Sequence, residues 1–174
     1  QAGQPDRAVP LLHALLRSAD ARSPRDTFRL RRHLAELAQQ TGDFAQSLRL
    51  CEELLTQFSH VPTYVLQATV TQAEALLAAG RYEEAEARLT ARLGAATLRP
   101  AFHTLRLQQT LARVDTQAGR SAEAIARYEA LLAASPHHTV ELTLELADAY
   151  QQAGHPDRAV PLLHALLQSS DVRS

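Results

Sequence analysis

The chain holds a single cysteine, Cys51, and no lysine among its 174 residues. One cysteine excludes an intramolecular disulfide and a thiolate metal cluster. Aromatic residues make up only 5%, and strand-forming residues never cluster. No apolar run approaches the roughly 20 residues needed to span a bilayer. The N-terminus also lacks a basic stretch followed by an apolar one, so the expected setting is the cytoplasm. The 18 basic residues, all Arg, face 19 acidic ones for a net charge of −1, which leaves no overall positive field to hold a polyanion. The eight histidines form no His-x-x-x-His pair and stand in no metalloprotease-like helix motif. No glycine-rich phosphate loop or nucleophile elbow occurs. Neither enzymatic activity, nor a cofactor, nor a metal is expected, and nucleic acid is not the default partner.

What the chain does contain is Ala, Leu, Arg, Glu and Gln, with Gly and Pro falling at intervals, the composition of helices separated by tight turns. A turn glycine recurs at Gly3, Gly42, Gly80, Gly119 and Gly154, at spacings of 39, 38, 39 and 35 residues. Glycine there supplies the left-handed conformation that ends a helix. Five residues past each glycine stands a small side chain: Ala8, Ser47, Ala85, Ala124 and Ala159. Seven residues before it stand Ala35, Ala73, Ala112 and Ala147. Small residues at matching places let two antiparallel helices approach closely. The pattern predicts helices over 5–18, 26–41, 44–58, 63–79, 82–93, 100–118, 121–134, 138–153 and 156–169. Ser23-Pro24 and Ser135-Pro136 read as N-cap and first-turn signals. Pro10 and Pro161 fall inside second helices and predict a late helix start or a kink.

Residues 1–23 match residues 152–174 at 19 of 23 positions, and Pro5 through Leu16 is identical to Pro156 through Leu167. The chain therefore reads as a piece of a longer array of near-identical blocks.

These features resemble the tetratricopeptide repeat family over nearly the whole chain. The motif residues are Leu34-Ala35, Gly42-Asp43-Phe44, Ser47 and Cys51; Ala73, Gly80-Arg81-Tyr82, Ala85 and Leu89; Leu111-Ala112, Gly119, Ala124, Tyr128 and Pro136; and Leu146-Ala147, Tyr150, Gly154, Ala159 and Leu163. The family's early Trp is replaced by Arg31, Thr69, Gln108 and Thr143. Three of the four spacings exceed the family's usual length by at least about four residues, as in repeats that resemble the arms of bacterial regulators. The resemblance implies an all-α, right-handed α-α superhelix of about four full helix-turn-helix repeats, 23–60, 61–97, 98–136 and 137–174, after a half repeat at 1–22. A helix pair of this kind cannot enclose its own apolar stripe, so neighbouring repeats cover one another and leave first-helix side chains lining a concave groove.

By the same resemblance the groove is where a peptide or protein segment binds. The matching positions are Arg29, Arg32, Glu36, Gln39 and Gln40; then Gln67, Val70, Glu74 and Leu77; then Arg106, Gln109, Arg113, Thr116 and Gln117; then Glu141, Leu144, Asp148, Gln151 and Gln152. Chaperone-binding members hold a C-terminal carboxylate with a Lys/Asn clamp, a set this lining lacks, and Glu36 and Glu74 stand where an amide is wanted. The cluster Arg22, Arg25, Arg29, Arg31 and Arg32 reads as a solvated helix face, a seat for an acidic peptide, or a phosphate contact. Cys51, on the apolar stripe of its helix, is expected to be buried and inert. The leading functional expectation is a protein-interaction scaffold. Its alternative is a ligand-sensing or oligomerisation arm of a bacterial regulator, and an attached ATPase or DNA-binding domain would separate the two. Head-to-tail self-association is expected through the first and last predicted helices.

Overall fold

Four of the five turn glycines lie among the residues described by the computed structural model, which are 10–12, 14, 23–95, 101–134 and 139–171. Each of the four has a left-handed backbone, with φ of 81° at Gly42, 72° at Gly80, 76° at Gly119 and 77° at Gly154. The hydrogen bonds around them repeat as well. The residue after each glycine donates its N–H to the carbonyl five residues back: Asp43 to Ala38, Arg81 to Leu76, Arg120 to Asp115 and His155 to Tyr150, at 2.8–2.9 Å. Each glycine N–H reaches the carbonyl three residues back. This is the Schellman arrangement, which satisfies the last carbonyls of one helix and reverses the chain into the next.

Eight helices are present among the described residues, and no strand: α1 (Pro24–Gln40), α2 (Phe44–Gln57), α3 (Pro62–Ala78), α4 (Tyr82–Leu93), α5 (Ala101–Gln117), α6 (Ser121–Ala134), α7 (Thr139–Gln152) and α8 (Pro156–Asp171). Each lies within two residues of its predicted span. Ser23 caps α1 by accepting from the Asp26 N–H, with Pro24 in the first turn, and Asp43 caps α2 through the Gln46 N–H. Pro161 does not delay its helix, because α8 already starts at Pro156 and continues through it. Of the helix predicted over 5–18, residues 10–12 and 14 are helical. Gly3, Ala8 and Arg22 lie outside the described residues, as does Ser135-Pro136.

The helices belong to two compact units, 1–99 and 100–174. In the first, α1 packs on α2, α2 on α3 and α3 on α4, while α1 also touches α3. In the second, α5, α6, α7 and α8 pack in the same succession, and α5 touches α7. All eight described small residues of the repeat pattern are buried: Ala35, Ser47, Ala73, Ala85, Ala112, Ala124, Ala147 and Ala159. Their small size lets the helix backbones come close.

Larger side chains fill what remains. Phe28 stacks on Tyr64 with ring centroids 4.2 Å apart, and Phe58 meets both edge-on at 5.5 and 5.6 Å. This cluster joins α1, the end of α2 and the start of α3 over the buried Leu54 and Ala68. In the second unit, Tyr128, Leu131, Leu142, Leu146 and Tyr150 form the core with Ala112, Ala124 and Ala159. There too the buried Asp115 carboxylate accepts from Arg120, at 2.7 and 2.9 Å, and from Arg127 at 2.7 Å. Those bonds tie the last turn of α5 to the turn and helix that follow, and leave neither carboxylate oxygen unsatisfied.

Two substitutions in the first unit separate turn from core. Gly80→Ala meets no atom within 4 Å of the added Cβ, so its cost is the left-handed backbone alone, about 1 kcal/mol. Phe28→Ala empties the aromatic cluster and is expected to cost about 3–5 kcal/mol. Denaturant unfolding of both variants checks the order, and a larger loss at Gly80 would contradict this account.

Candidate functional site

Turns and caps decide which side of each first helix stays outside the core. On α1, Phe28, Leu34, Ala35, Leu37 and Ala38 are buried, which leaves Arg29, Arg32, Glu36 and Gln40 at three- and four-residue steps along the remaining side. Arg29 and Gln40 are exposed. Arg32 pairs with Glu36 at 2.8 Å, and His33 meets the other oxygen of that carboxylate at 3.1 Å. Gln39 crosses to the next first helix and donates to the Thr71 carbonyl at 3.1 Å. The arginines predicted as one cluster divide: Arg31 turns to α2, bonding Gln57 and lying 4.0 Å from Glu53, whereas Arg32 stays with Glu36.

The α3 positions differ. Gln67 is exposed and Glu74 half-buried, but Val70 and Leu77 are buried, because α3 packs against helices on several sides. Cys51 is fully buried beneath α1 and α3, where desolvation first, and the carboxylates of Glu36, Glu52 and Glu74 next, push its thiol up to about 12. A thiol so placed stays protonated and unreactive at neutral pH.

In the second unit α5 and α7 face each other through a polar ladder. Arg106 donates to Gln109 at 3.2 Å and lies 3.7 Å from Glu141, while Gln109 donates to Glu145 at 3.0 Å. Gln109 is buried in this contact and Arg113 half-buried. Glu145, which sequence reasoning did not single out, sits at the ladder's centre. Burial raises its carboxyl above the usual range, opposed by the Gln109 hydrogen bond and the charge of Arg113. Its signal in the sequence was its place one turn after Glu141 on the same helix. Asp148, Gln151 and Gln152 are exposed further along α7, as are Val140 at 59% and Leu144 at 47%. On the far side of the same helix Leu142, Leu146 and Ala149 are buried.

Among the described residues, no group of three His, Cys, Asp or Glu side chains could hold a metal ion, and no helix is long and apolar enough to cross a membrane. The arrangement is two first-helix faces, one per unit, each carrying both signs of charge.

Three tetratricopeptide repeat models match the chain, over residues 1–62, 66–89 and 115–171. Two solved structures of a Podosopora anserina protein named for kinesin light chain, with nearly identical TPR-like repeats, superpose with TM-scores of 0.70 and 0.69. They are 26% and 25% identical to this chain, and each alignment covers 99% of this chain and 90% of that one. MamA of AMB-1 is similar in fold, with a TM-score of 0.58 at 20% identity over 98% of this chain and 92% of that chain. No curated protein sequence matches. The chain belongs to the tetratricopeptide repeat family, an all-helical repeat family of protein-interaction scaffolds.

The ladder yields a pH-dependent test. Because the Glu145 carboxyl is raised in the folded chain, its protonated form favours folding, and that contribution fades as pH rises through the folded value. Glu145→Gln keeps an acceptor for Gln109 and cannot ionise. Its melting temperature relative to the unsubstituted chain should therefore climb between pH 4 and pH 7, as followed by circular dichroism. A flat or falling difference would contradict the burial argument.

Proposed function

We propose that the chain is a non-catalytic scaffold that binds a protein or peptide segment along its first-helix faces. The observation that carries this reading is the outer side of α7. Val140 and Leu144, one turn apart, are exposed together with Glu141 and Asp148, on a helix whose other side is buried. Exposed apolar side chains ringed by carboxylates suit a partner segment with an apolar anchor and basic neighbours. On α1 the exposed Arg29 and the partly exposed Arg32 add a place for an acidic side chain, since guanidinium forks carboxylates well. Glu36, Gln39, Gln40 and Glu74 complete the proposed face of the first unit, and Arg106, Gln109, Arg113 and Asp148 that of the second, with Gln109 acting through the ladder that positions Arg106 and Glu145.

A peptide array probed with the whole chain tests this. Leu144→Asp should weaken bound sequences about tenfold or more, the scale of losing an apolar anchor, while the helical circular dichroism stays unchanged. Arg29, Arg32, Arg106 and Arg113 changed together to Glu should remove the preference for an acidic side chain from the selected sequences. Unaltered selection by both variants would overturn the assigned faces. Amidating peptide C-termini should change nothing, because Glu36 and Glu74 occupy the places a carboxylate clamp would need, and a requirement for a free C-terminus would contradict the lining.

A further inference from the structure

The hairpin of α3 and α4 departs from the other repeats at two interior positions. Eight residues before the turn glycine stand Leu34, Leu111 and Leu146, only 2–3% exposed, whereas Gln72 stands before Gly80 and is as deeply buried at 2%. Twelve residues after the glycine stand Leu54, Leu131 and Leu166, whereas Arg92 follows Gly80. One repeat has thus exchanged two leucines, one on each of its helices, for hydrogen-bond donors. A leucine in either place needs no partner, but a buried amide or guanidinium N–H does.

Neither replacement finds that partner within the protein. Gln72 Nε2 and Arg92 Nε are buried atoms without a hydrogen-bond acceptor among the described residues, and both side chains line one cavity of about 410 Å³. The cavity belongs to the first unit, with walls from α2, α3 and α4. Leu55, Val65, Ala91 and Ala95 give it an apolar wall, and the exposure of Ala91 opens it to solvent along α4. No carboxylate lines it. Of the other polar groups there, Arg88 reaches Glu52 at 3.4 Å, and the Thr69 hydroxyl already donates to the Val65 carbonyl at 2.8 Å. What remains unmet is a pair of N–H donors, one of them cationic, beside an apolar wall.

We propose that this cavity binds a small organic carboxylate with an apolar body. The carboxylate oxygens accept from Gln72 Nε2 and Arg92 Nε, and the body lies against Leu55, Val65, Ala91 and Ala95. A guanidinium-to-carboxylate hydrogen bond is charge-assisted, and so stronger than one to a neutral acceptor. The volume falls within the range of small-molecule sites, which combine an apolar lining with a few placed polar groups. A water molecule could accept from either donor, but it would neither balance the guanidinium charge nor cover the apolar wall. The site is built between second helices rather than on the first-helix faces, so it stands or falls independently of the partner binding proposed above.

Octanoate titrated into the whole chain by calorimetry tests this, with acetate and octanol as comparisons. Octanoate should bind saturably and raise the melting temperature. Acetate lacks the apolar body and octanol the charge, so each should bind at least about tenfold more weakly. Gln72→Leu and Arg92→Leu restore the residue of the other repeats, so both variants should fold. Each should bind octanoate at least about tenfold more weakly, the scale of losing a hydrogen bond to a charged group. Without octanoate, Gln72→Leu should also melt higher than the unsubstituted chain, because it removes a buried unpaired donor. Octanoate that fails to saturate at millimolar concentration would overturn the proposal. So would octanol or acetate binding as tightly as octanoate, or octanoate affinity unchanged in both leucine variants.

Discussion

Close approach of consecutive helices is the constraint on which the rest of this structure rests. Two helices joined by three residues can pack along their length only if side chains at the crossing are small and the turn can take a left-handed step. Ala35 with Ser47, Ala73 with Ala85, Ala112 with Ala124 and Ala147 with Ala159 meet the first condition, and all are buried. Gly42, Gly80, Gly119 and Gly154 meet the second. Each condition makes the other useful: without the turn the small residues would not meet, and without them the reversed helix would be held away.

Once the hairpins are set, each first helix has one side committed to the core and another that is not. The charge on the uncommitted side is largely paired within the protein. Arg32 holds Glu36, Gln39 holds a backbone carbonyl of α3, and Gln109 links Arg106 to Glu145. Such pairs orient side chains in advance, which under the proposed function presents fixed donors and acceptors rather than freely rotating ones. Val140 and Leu144 are the exposed apolar side chains of α7 on which the proposed function relies for contact area.

Tertiary packing also assigns different fates to residues that look alike in the sequence. Arg31 and Arg32 are neighbours in one basic run, yet helical geometry sends the first to Gln57 and Glu53 on α2 and the second to Glu36 on its own helix. Val70 and Leu77 fall at the same repeat positions as Arg32 and Gln39, but α3 lies between other helices and buries them. Projecting from repeat register therefore matches the exposure of Asp148, Gln151 and Gln152 on α7 and of Gln67 on α3, and misses the burial of Val70 and Leu77. The aromatic group of Phe28, Phe58 and Tyr64 was not legible for a related reason. Its members are far apart in sequence and at unlike repeat positions, so only the packing of three helix ends brings the rings to within 4.2–5.6 Å.

What the sequence by itself determined was local and periodic: the left-handed turns, the capped helix start at Ser23, the limits of the described helices to within two residues, and the small crossing residues. Each of these depends on a handful of neighbours in the chain, so spacing and residue type suffice to read it. Only the tertiary structure decided which polar groups sink from view. Asp115 became a buried carboxylate shared by Arg120 and Arg127, and Glu145 became the half-buried centre of the α5–α7 ladder. Desolvation and partner geometry are properties of several helices at once, and no periodicity along one of them records how the others lie against it.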